Sequence, residues 1–424
     1  MAALALAARR EGACVLGSDR EEGESVRLLR REGCRIHIGH DPSHVSPTLD
    51  AVIYSLAIDP SCPELCAARS FGVPCLSRPQ YLGEYMRRVG ERIGISGTHG
   101  KSTVTAMLRH ILREAGERPT VLCGAPPLRP EELDPHADCL VYEGCEYRGA
   151  LLSFCPTTLV LLNAEWDHPD CFPTEEALLD CFRRAAQGAQ QLIVPAEDAP
   201  LRRALAGVAV PTVRFGGTEA AQVRYRVLSC TAGCYTFSLH MGDAQLGTVH
   251  LGVAGAFQIK NATAAITAAI LHGIPPAVAC HAMQTYTGID RRMQRILSKN
   301  GNFFYYDYAH HPTAIREAIR TLREISNETL TVVFRPHTFS RTAALWEDFV
   351  AALAMADQVL LTDIYAAREE PMEGICAERL AAAIGARARY VPLEELPCEV
   401  CACAGTLALL GAGDLQATVD ALRA

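Results

Sequence analysis

The stretch Arg92-Ile93-Gly94-Ile95-Ser96, followed by Gly97-Thr98-His99-Gly100-Lys101-Ser102-Thr103, decides the fold of this chain. The first five residues predict a short buried strand, and apolar residues then recur at helical spacing as far as Leu112. A glycine-rich turn between a strand and a helix gathers backbone N–H groups at the positive end of the helix dipole. The turn therefore indicates a phosphate-binding loop.

Lysine is rare in this sequence, and its placement supports the same interpretation. Only Lys101, Lys260 and Lys299 occur, against 37 arginines among 40 basic residues. A lysine retained in such a chain suggests a site that needs a compact ammonium. We expect Lys101 to reach the terminal phosphates of a nucleotide and Ser102 to offer its hydroxyl to Mg²⁺. A strict P-loop would need glycine at Ile95, so a glycine turn without a ligand is the alternative.

Composition limits the classes of protein that this chain can belong to. The 424 residues, 49% of them hydrophobic, are enough for several domains with their own cores. The net charge of -8 argues against a nucleic-acid-binding surface. No apolar run approaches the length of a membrane span, so we expect a cytoplasmic protein.

Cysteines are numerous but scattered. The chain has 18 of them, and residues such as Cys14, Cys139 and Cys181 stand singly in apolar segments, which predicts reduced core thiols rather than disulfides. The tightest group is Cys398, Cys401 and Cys403. It lacks an evident fourth ligand, so a zinc site there is only an alternative.

Strand and helix patterns alternate in three successive blocks, which predicts an α/β fold with parallel sheets covered by helices. We expect three domains, at residues 1–90, 91–289 and 290–424. Predicted strands lie at 13–16, 51–54, 139–143, 158–163, 192–195, 303–307, 331–334, 358–362 and 407–410, with a β-rich stretch at 211–251 and a helix at 261–271.

Polar residues follow several of these strands. Glu143 ends one strand, and Asn163 to His168 follow the next. Because the carboxyl ends of parallel strands line the ligand crevice, both groups can converge on the phosphate loop, where oxygen ligands and an imidazole suit Mg²⁺ or Mn²⁺. The alternative is that Glu143 caps a loop and His168 is a surface histidine.

Two more clusters lie in the last block. Arg291 and Arg292 stand at the predicted domain boundary, where they either form a solvated face or close over a phosphate. The segments 306–312 and 334–341 each lie just beyond a strand end, where loops commonly provide functional residues.

These motifs give the chain a resemblance to the Mur ligase family over nearly its whole length. In order along the sequence they are GTHGKST, EGCEY, NAEWDH, GIDRRMQ, YDYAHHP, FRPHTFSR, DIYAAREEP and LGAGD. The resemblance implies a Rossmann-like N-terminal domain for a UDP-sugar, a central P-loop ATPase domain and a Rossmann-like C-terminal domain for an amino acid. The implied activity joins L-alanine to the carboxylate of UDP-N-acetylmuramate through an acyl phosphate, with ATP and Mg²⁺, in a monomer or homodimer of the peptidoglycan pathway.

The resemblance also implies residue roles. Lys101 and the loop amides would hold the phosphates, Ser102 and Glu143 one Mg²⁺, and His168 a second metal. Further roles fall on residues of the last two blocks: Asn261 and Asp307 on the nucleotide, Arg292 on its phosphates, and His310 and Arg341 on the amino-acid side. No lysine lies between Lys101 and Lys260, so a carbamylated lysine in the central domain is excluded.

Three departures from the family pattern bear on substrate binding. The family usually begins with a strand and a GIGGxGMS turn, but Met1 stands about where that methionine would be, so we expect a truncated N-terminal domain and weak UDP-sugar binding. Phe257-Gln258 replaces a usual His-Asn pair, and Thr338 replaces a usual arginine. A Mur-like ligase with another acceptor and a degenerate binding or regulatory protein therefore stay open as alternatives.

Overall fold

The computed structural model describes residues 1–124, 133–134, 136–299, 302–367 and 369–423. Strands and helices alternate along the chain, which confirms the predicted α/β class. The backbone divides into two compact units, here called the first and second units. The first comprises Met1–Ala164, Glu176–Arg214 and Leu271–Ile274, and the second comprises Glu165–Glu175, Phe215–Ile270 and Pro275–Ala424. Among the described residues, no helix has the length and apolar character needed to cross a membrane.

The N-terminal part of the first unit contains two small parallel strand pairs. One joins β1 (Leu16–Asp19) to β2 (Arg35–Ile38), and the other joins β3 (Val52–Tyr54) to β4 (Cys75–Ser77). The accompanying helices are α1 (Ala2–Arg10), α2 (Glu24–Arg31), α3 (Pro63–Ser70) and α4 (Arg78–Met86). The strand predicted at 13–16 begins three residues later, at Leu16. Residue 13 still belongs to the end of α1, because the Ala13 N–H donates to the Ala8 carbonyl at 3.0 Å.

The rest of the first unit holds a parallel sheet whose strand order is β9-β8-β5-β7-β6. The strands are β5 (Glu91–Ser96), β6 (Thr120–Leu122), β7 (Cys139–Glu143), β8 (Thr158–Leu161) and β9 (Gln191–Pro195). The helices are α5 (Lys101–Glu114), α6 (Glu175–Gln187) and α7 (Ala199–Ala204). Apolar runs such as Ile93 and Ile95 are fully buried, as expected for parallel strands covered on both faces. The register pairs Ile95 with Glu143, so Glu143 lies at the sheet edge where the phosphate loop begins.

The second unit begins with an antiparallel sheet. Strands β11 (Val223–Thr231), β12 (Cys234–Met241) and β13 (Ala244–Ala254) pair in succession, and the end of β10 (Thr212–Gly216) pairs in parallel with β11. Helices α8 (Phe257–His272) and α9 (Pro276–Thr285) follow. The helix predicted from Asn261 thus begins four residues earlier, because Phe257 and Gln258 continue the helical backbone.

A second, mostly parallel sheet has the order β14-β15-β19-β16-β17-β18. Its strands are β14 (Gln294–Lys299), β15 (Asn302–Asp307), β16 (Leu330–Arg335), β17 (Gln358–Leu361), β18 (Ala388–Tyr390) and β19 (Thr406–Gly411). Its helices are α10 (Pro312–Ile325), α11 (Phe339–Ala344), α12 (Trp346–Leu353), α13 (Ala377–Ile384), α14 (Leu396–Cys401) and α15 (Gln416–Arg423). Buried residues such as Phe334 and Phe349 on one face and Leu409 on the other form two apolar cores, which fix the strand ends that bear the functional segments.

All 18 cysteines are free thiols, as predicted. Cys139 and Cys181 are buried, but the expectation of a core position was wrong for Cys14, which is exposed beyond the end of α1. Within the described residues, the side-chain groups close enough to hold a metal ion do not include Cys398, Cys401 or Cys403. The structure therefore gives no support to a zinc site there.

Candidate functional site

The phosphate loop, residues 97–103, leaves β5 and enters α5 through two glycines with positive φ. Gly97 has φ of 127° and Gly100, the residue before α5, has φ of 86°. Asn163 clamps the loop: its Oδ1 accepts from His99 N–H at 2.8 Å, and its Nδ2 donates to the His99 carbonyl at 3.0 Å. The first N–H groups of α5 have no acceptor within the helix, so they are available to an anion.

The conformation of Gly97 gives a direct test of this loop. A Cβ added there would lie 3.0 Å from the Asn163 carbonyl oxygen and 3.1 Å from Leu162 N, both rigid backbone atoms. We expect Gly97→Ala to lower the free energy of unfolding by about 2–4 kcal/mol, from backbone strain and overpacking together. Gly116→Ala is the matched control: Gly116 also has a positive φ, 87°, but no heavy atom lies within 4 Å of the added Cβ. It should cost about 1–2 kcal/mol in urea unfolding, and equal losses in the two variants would contradict this geometry.

The Lys101 ammonium is held inside the loop. Its Nζ donates to the Gly97 carbonyl at 2.6 Å and to the Glu146 carboxylate at 3.0 Å, and the Glu146 side chain is only 2% exposed. Burial opposes the charge, but Glu146, Cys145 and Glu143 more than offset it and raise the pKa of Lys101 above its ordinary value. The lysine is therefore a permanent cation with a buried counter-ion that the sequence pattern did not single out.

Glu143 lies at the end of β7, and one of its oxygens is fixed by the chain that follows β6. Its Oε1 accepts from Gly124 N–H at 2.9 Å and from the Cys123 thiol at 3.0 Å. In the same unit, Ser102 is 7% exposed in the first turn of α5.

The donor set fits a nucleotide with a divalent cation. The loop offers main-chain donors and an ammonium to phosphate, while a carboxylate and a hydroxyl are ligands that Mg²⁺ accepts. Gly97 supports this fit, because a Cβ there would lie only 3.0–3.1 Å from the backbone atoms of Leu162 and Asn163 that shape the cradle.

A second group of functional residues lies in the second unit and is here called the arginine–histidine cluster: Asp167, His310, His337 and Arg341. Arg341 Nε donates to Asp167 Oδ1 at 2.8 Å, and both residues are nearly inaccessible, at 3% and 5% exposure. The Arg341 Nη1 donates to His337 Nδ1 at 2.8 Å and to the His337 carbonyl at 2.9 Å. Burial works against ionisation of Asp167, but the Arg341 guanidinium outweighs it and holds the pKa of Asp167 well below its usual range.

The two histidines of this cluster are neutral. Arginine only donates, so His337 Nδ1 must be the unprotonated nitrogen. His310 Nδ1 lies 2.9 Å from the Tyr308 carbonyl, which only accepts, so His310 is protonated at Nδ1 and its Nε2 has a lone pair. Burial, aided by the Arg341 cation, lowers the pKa of His337 to about 4 and that of His310 well below its usual value.

This neutrality makes a prediction about pH. Because the pKa of His337 is about 4 when folded and about 6.5 when unfolded, the unfolded chain binds more protons between these values, and stability falls as pH falls through that window. We expect the titration of His337 to lower the free energy of unfolding by about 2 kcal/mol as the pH falls from 6.5 to 4.5. Urea unfolding should show a smaller loss in His337→Gln, which keeps an acceptor for Arg341. The exposed His281→Gln is the control; an identical pH dependence in both variants would refute the assignment.

His168 and Asn261, two further predicted site residues, also lie in the second unit. His168 follows Asp167 with a positive φ of 56°, and its N–H donates to Asp167 Oδ1 at 2.7 Å. Asn261 lies on α8, 8% exposed, and donates to Gln258 Oε1 at 3.0 Å.

Asp307 organises the loop after β15. Its two carboxylate oxygens accept from Met293 N–H at 2.6 Å and from Ala309 N–H at 2.7 Å, and burial raises its pKa. Of the two predicted arginines, Arg291 donates to main-chain carbonyls after β19, including that of Gly413 at 3.1 Å. Both guanidinium groups also lie over the Tyr308 ring, 4.9 Å from its centroid for Arg291 and 5.0 Å for Arg292. Arg291 is thus structural.

Glu369 was missed by the sequence reasoning. Its carboxylate accepts from the Thr338 hydroxyl at 2.6 Å and from Ser340 N–H at 2.7 Å, so Thr338 and Glu369 form one polar network at the start of α11. Glu146 and Cys123 were missed as well. A glutamate two residues from Gly144 and a lone cysteine after a strand give no periodic signal that would have singled them out.

Comparison with known proteins gives matches along the whole chain. Three family descriptions match consecutive segments: "Mur ligase family, catalytic domain" at residues 1–89, "Mur ligase middle domain" at 95–269 and "Mur ligase, glutamate ligase domain" at 291–415. The UDP-N-acetylmuramate–L-alanine ligase of Caldicellulosiruptor bescii is 34% identical, over 99% of this chain and 95% of the relative. That of Aquifex aeolicus is 33% identical, over 88% of this chain and 83% of the relative.

Solved structures agree with these relatives. The UDP-N-acetylmuramate–alanine ligase of Thermotoga maritima superposes with a TM-score of 0.82 and 26% identity, over 99% of this chain and 95% of that chain. A murein peptide ligase of Psychrobacter arcticus, at 24% identity and a TM-score of 0.73, shares the fold. The family resemblance read from the sequence is therefore confirmed, and the chain belongs to the Mur ligase family.

Proposed function

We propose that this protein is an ATP-dependent ligase that joins L-alanine to the carboxylate of UDP-N-acetylmuramate in peptidoglycan synthesis. The observation that most supports the proposal is the phosphate loop, in which Lys101 and the open N–H groups of α5 meet at the carboxyl end of β5. The names of the relatives aligned over nearly the full chain supply the substrate class.

The chemistry explains why no protein nucleophile is needed. A sugar carboxylate oxygen attacks the γ-phosphorus of ATP, and ADP leaves. The amine of alanine then attacks the carbonyl carbon of the acyl phosphate, and phosphate leaves from the tetrahedral intermediate. The protein has to neutralise charge and align the reactants.

At the nucleotide end, Lys101 and the amides of the phosphate loop that are not bonded to Asn163 are proposed to hold the β- and γ-phosphates. Ser102 and Glu143 are proposed to hold one Mg²⁺, and His168 a second ion near the sugar carboxylate. When bound, Mg²⁺ neutralises phosphate charge and aligns the transferred group. Asn261 and Asp307 are proposed to contact the nucleotide and Arg292 its phosphates.

At the amino-acid end, His310 is proposed to face the incoming amino acid, where the lone pair on its Nε2 can accept a hydrogen bond from the amino group. Burial, aided by the Arg341 cation, keeps His310 neutral, and the Tyr308 carbonyl fixes its tautomer. Arg341 is proposed to face the amino-acid side while Asp167 holds its guanidinium in place.

We further propose three functional segments: residues 1–90 for the nucleotide sugar, 91–289 for ATP and 290–424 for the amino acid. We propose a cytoplasmic location, because ATP and nucleotide sugars are cytoplasmic substrates. We also propose that the protein acts as a monomer or homodimer. A ligase of the same chemistry with another acceptor is the second candidate. It is favoured by Thr338, which stands where the family usually has arginine and bonds to Glu369.

The test is acceptor-dependent release of phosphate by the purified protein with ATP, Mg²⁺ and UDP-N-acetylmuramate. We expect release with L-alanine that exceeds release with glycine, L-serine or a tripeptide. A stronger response to the tripeptide would select the second candidate. No release with any acceptor, together with measurable ATP binding, would identify a binding or regulatory protein instead.

A further inference from the structure

Three side chains of metal-binding type meet in the N-terminal part of the first unit: His40, Cys62 and Glu64, here called the N-terminal cluster. One ligand atom of each, an imidazole nitrogen, the thiol sulfur and a carboxylate oxygen, lies within 4.8 Å of the other two. His40 follows β2, whereas Cys62 and Glu64 stand at the start of α3. The fold therefore gathers nitrogen, sulfur and oxygen donors from two separate segments, and none of them belongs to the phosphate loop.

Glu64 is an ionised carboxylate with fixed oxygens. Its Oε2 accepts from the Ser18 hydroxyl at 2.6 Å and lies 3.0 Å from His40 Nδ1, while its Oε1 accepts from His44 Nδ1 at 2.8 Å. Burial works against ionisation of Glu64, but the hydrogen bonds from Ser18, His44 and His40 outweigh it and lower its pKa. The His37 ring stacks on the His44 ring, with centroids 4.1 Å apart, and so holds the outer donor in place.

The Cys62 thiol is an independent observation, because these hydrogen bonds do not involve it. Cys62 is 9% exposed, and its sulfur has no hydrogen-bond partner among the residues that the structure describes. Cys66, one turn further along α3, is exposed and donates to the Ser61 carbonyl at 3.6 Å. A buried, unpartnered sulfur that faces an imidazole and a carboxylate is suited to bind a cation.

The donor set fits one divalent transition-metal ion. Donors placed tetrahedrally around such an ion, with bonds of about 2.0–2.3 Å, stand about 3.3–3.6 Å apart. The three donors of the N-terminal cluster already lie within 4.8 Å of one another, so small side-chain rotations bring them to that spacing. A thiolate and a carboxylate together neutralise the charge of a divalent cation. Imidazole and thiolate ligands favour Zn²⁺ or Co²⁺ over Mg²⁺.

We propose that the N-terminal cluster is a Zn²⁺ site in which His40, Cys62 and Glu64 are the ligands and water takes the fourth position. When the ion binds, the Cys62 thiol releases its proton to solvent, and the His40 proton occupies the ring nitrogen that faces away from the ion. His44 and Ser18 keep the Glu64 carboxylate oriented, as outer hydrogen bonds do in metal sites. The ion then ties the end of β2 to the start of α3.

The experiment uses the metal-free full chain without nucleotide. Zn²⁺ affinity is measured by competition with a chromophoric chelator, and Co²⁺ is added as a spectroscopic probe. We expect one tightly bound ion per chain and, with Co²⁺, a thiolate-to-metal charge-transfer band in the near ultraviolet. Cys62→Ser should lose this band and weaken Zn²⁺ binding by at least about 100-fold, because a lost ligand costs more than a lost outer partner.

Two further variants make the assignment specific. Cys66→Ser is the matched control, because it removes an exposed thiol from the same helix, and it should keep the wild-type band and affinity. His44→Phe keeps a ring beside His37 but removes the donor to Glu64. It should weaken Zn²⁺ binding by about tenfold and keep the band at saturating Co²⁺, because the thiolate is still present.

Thermal melts show whether each variant folds. Zn²⁺ should raise the melting temperature of wild type and of Cys66→Ser but not that of Cys62→Ser, since only a protein that binds the ion when folded is stabilised by it. If Cys62→Ser does not fold without metal, Glu64→Gln replaces it in the test. That variant keeps the shape of the side chain, removes its charge and should weaken Zn²⁺ binding by about 100-fold.

Two results would overturn the inference. If wild type shows no charge-transfer band with Co²⁺, the N-terminal cluster is a hydrogen-bonded network and holds no metal. If the band and the Zn²⁺ affinity are the same in Cys62→Ser as in wild type, another thiol of the chain binds the ion. The phosphate-release test of the proposed function uses ATP and Mg²⁺ and none of these variants, so either claim can fail while the other stands.

Discussion

The Lys101→Met variant should lose ATP-dependent phosphate release by about 10³-fold, because the methionine retains the length of the side chain but not the charge that stabilises the transferred phosphate. It should also be less stable. The reason is that Lys101 is the counter-ion of a Glu146 side chain that is 2% exposed. Removing one partner of a buried pair costs about 3–5 kcal/mol.

A double variant separates these two effects. In Lys101→Met with Glu146→Gln no buried charge is left unpaired, so stability measured by urea unfolding should largely return while phosphate release stays lost. Turnover at the wild-type rate in the single variant would remove Lys101 from the chemistry. Wild-type stability in the single variant would show that the Lys101–Glu146 pair contributes nothing to the free energy of unfolding.

The second large effect is expected at Arg341. Its guanidinium bonds Asp167 through Nε and His337 through Nη1, and a single ammonium cannot reproduce that fork. Arg341→Lys should therefore lose most ligase turnover and about 1–3 kcal/mol of stability, because buried acceptors of the guanidinium are left without a donor. The control is Arg341→Met with Asp167→Asn, which leaves no unpaired charge and should recover stability without activity.

An NMR readout distinguishes this electrostatic role from packing alone. The Arg341 cation helps to hold the pKa of His337 at about 4, so in the Arg341→Met with Asp167→Asn variant the histidine should titrate at higher pH. An unchanged titration would mean that burial alone sets the charge state of His337.

The sheets and the phosphate loop could be predicted from the sequence because their signals are local. Buried parallel strands are short apolar runs. The Gly97–Lys101 turn lies between such a run and a helix, in which apolar residues repeat every three to four positions. Glu143 could be placed at the loop because strand ends converge in parallel sheets, and the register with Ile95 agrees.

The counter-ions could not be predicted in this way. Asp167 and Arg341 are 174 positions apart, and Lys101 and Glu146 are 45 apart, so only the tertiary fold brings them together. The neutrality of His310 and His337 depends on burial beside Arg341, which a motif does not encode.

The central claim is that the sugar carboxylate is activated as an acyl phosphate, and an isotope experiment tests it most directly. UDP-N-acetylmuramate labelled with ¹⁸O in its carboxylate is incubated with ATP, Mg²⁺ and L-alanine, and the inorganic phosphate is analysed by mass spectrometry. The account predicts one ¹⁸O atom in each phosphate released, because the bridging oxygen of the acyl phosphate comes from the carboxylate and leaves with phosphorus. Phosphate free of ¹⁸O, released while the amide product accumulates, would contradict it.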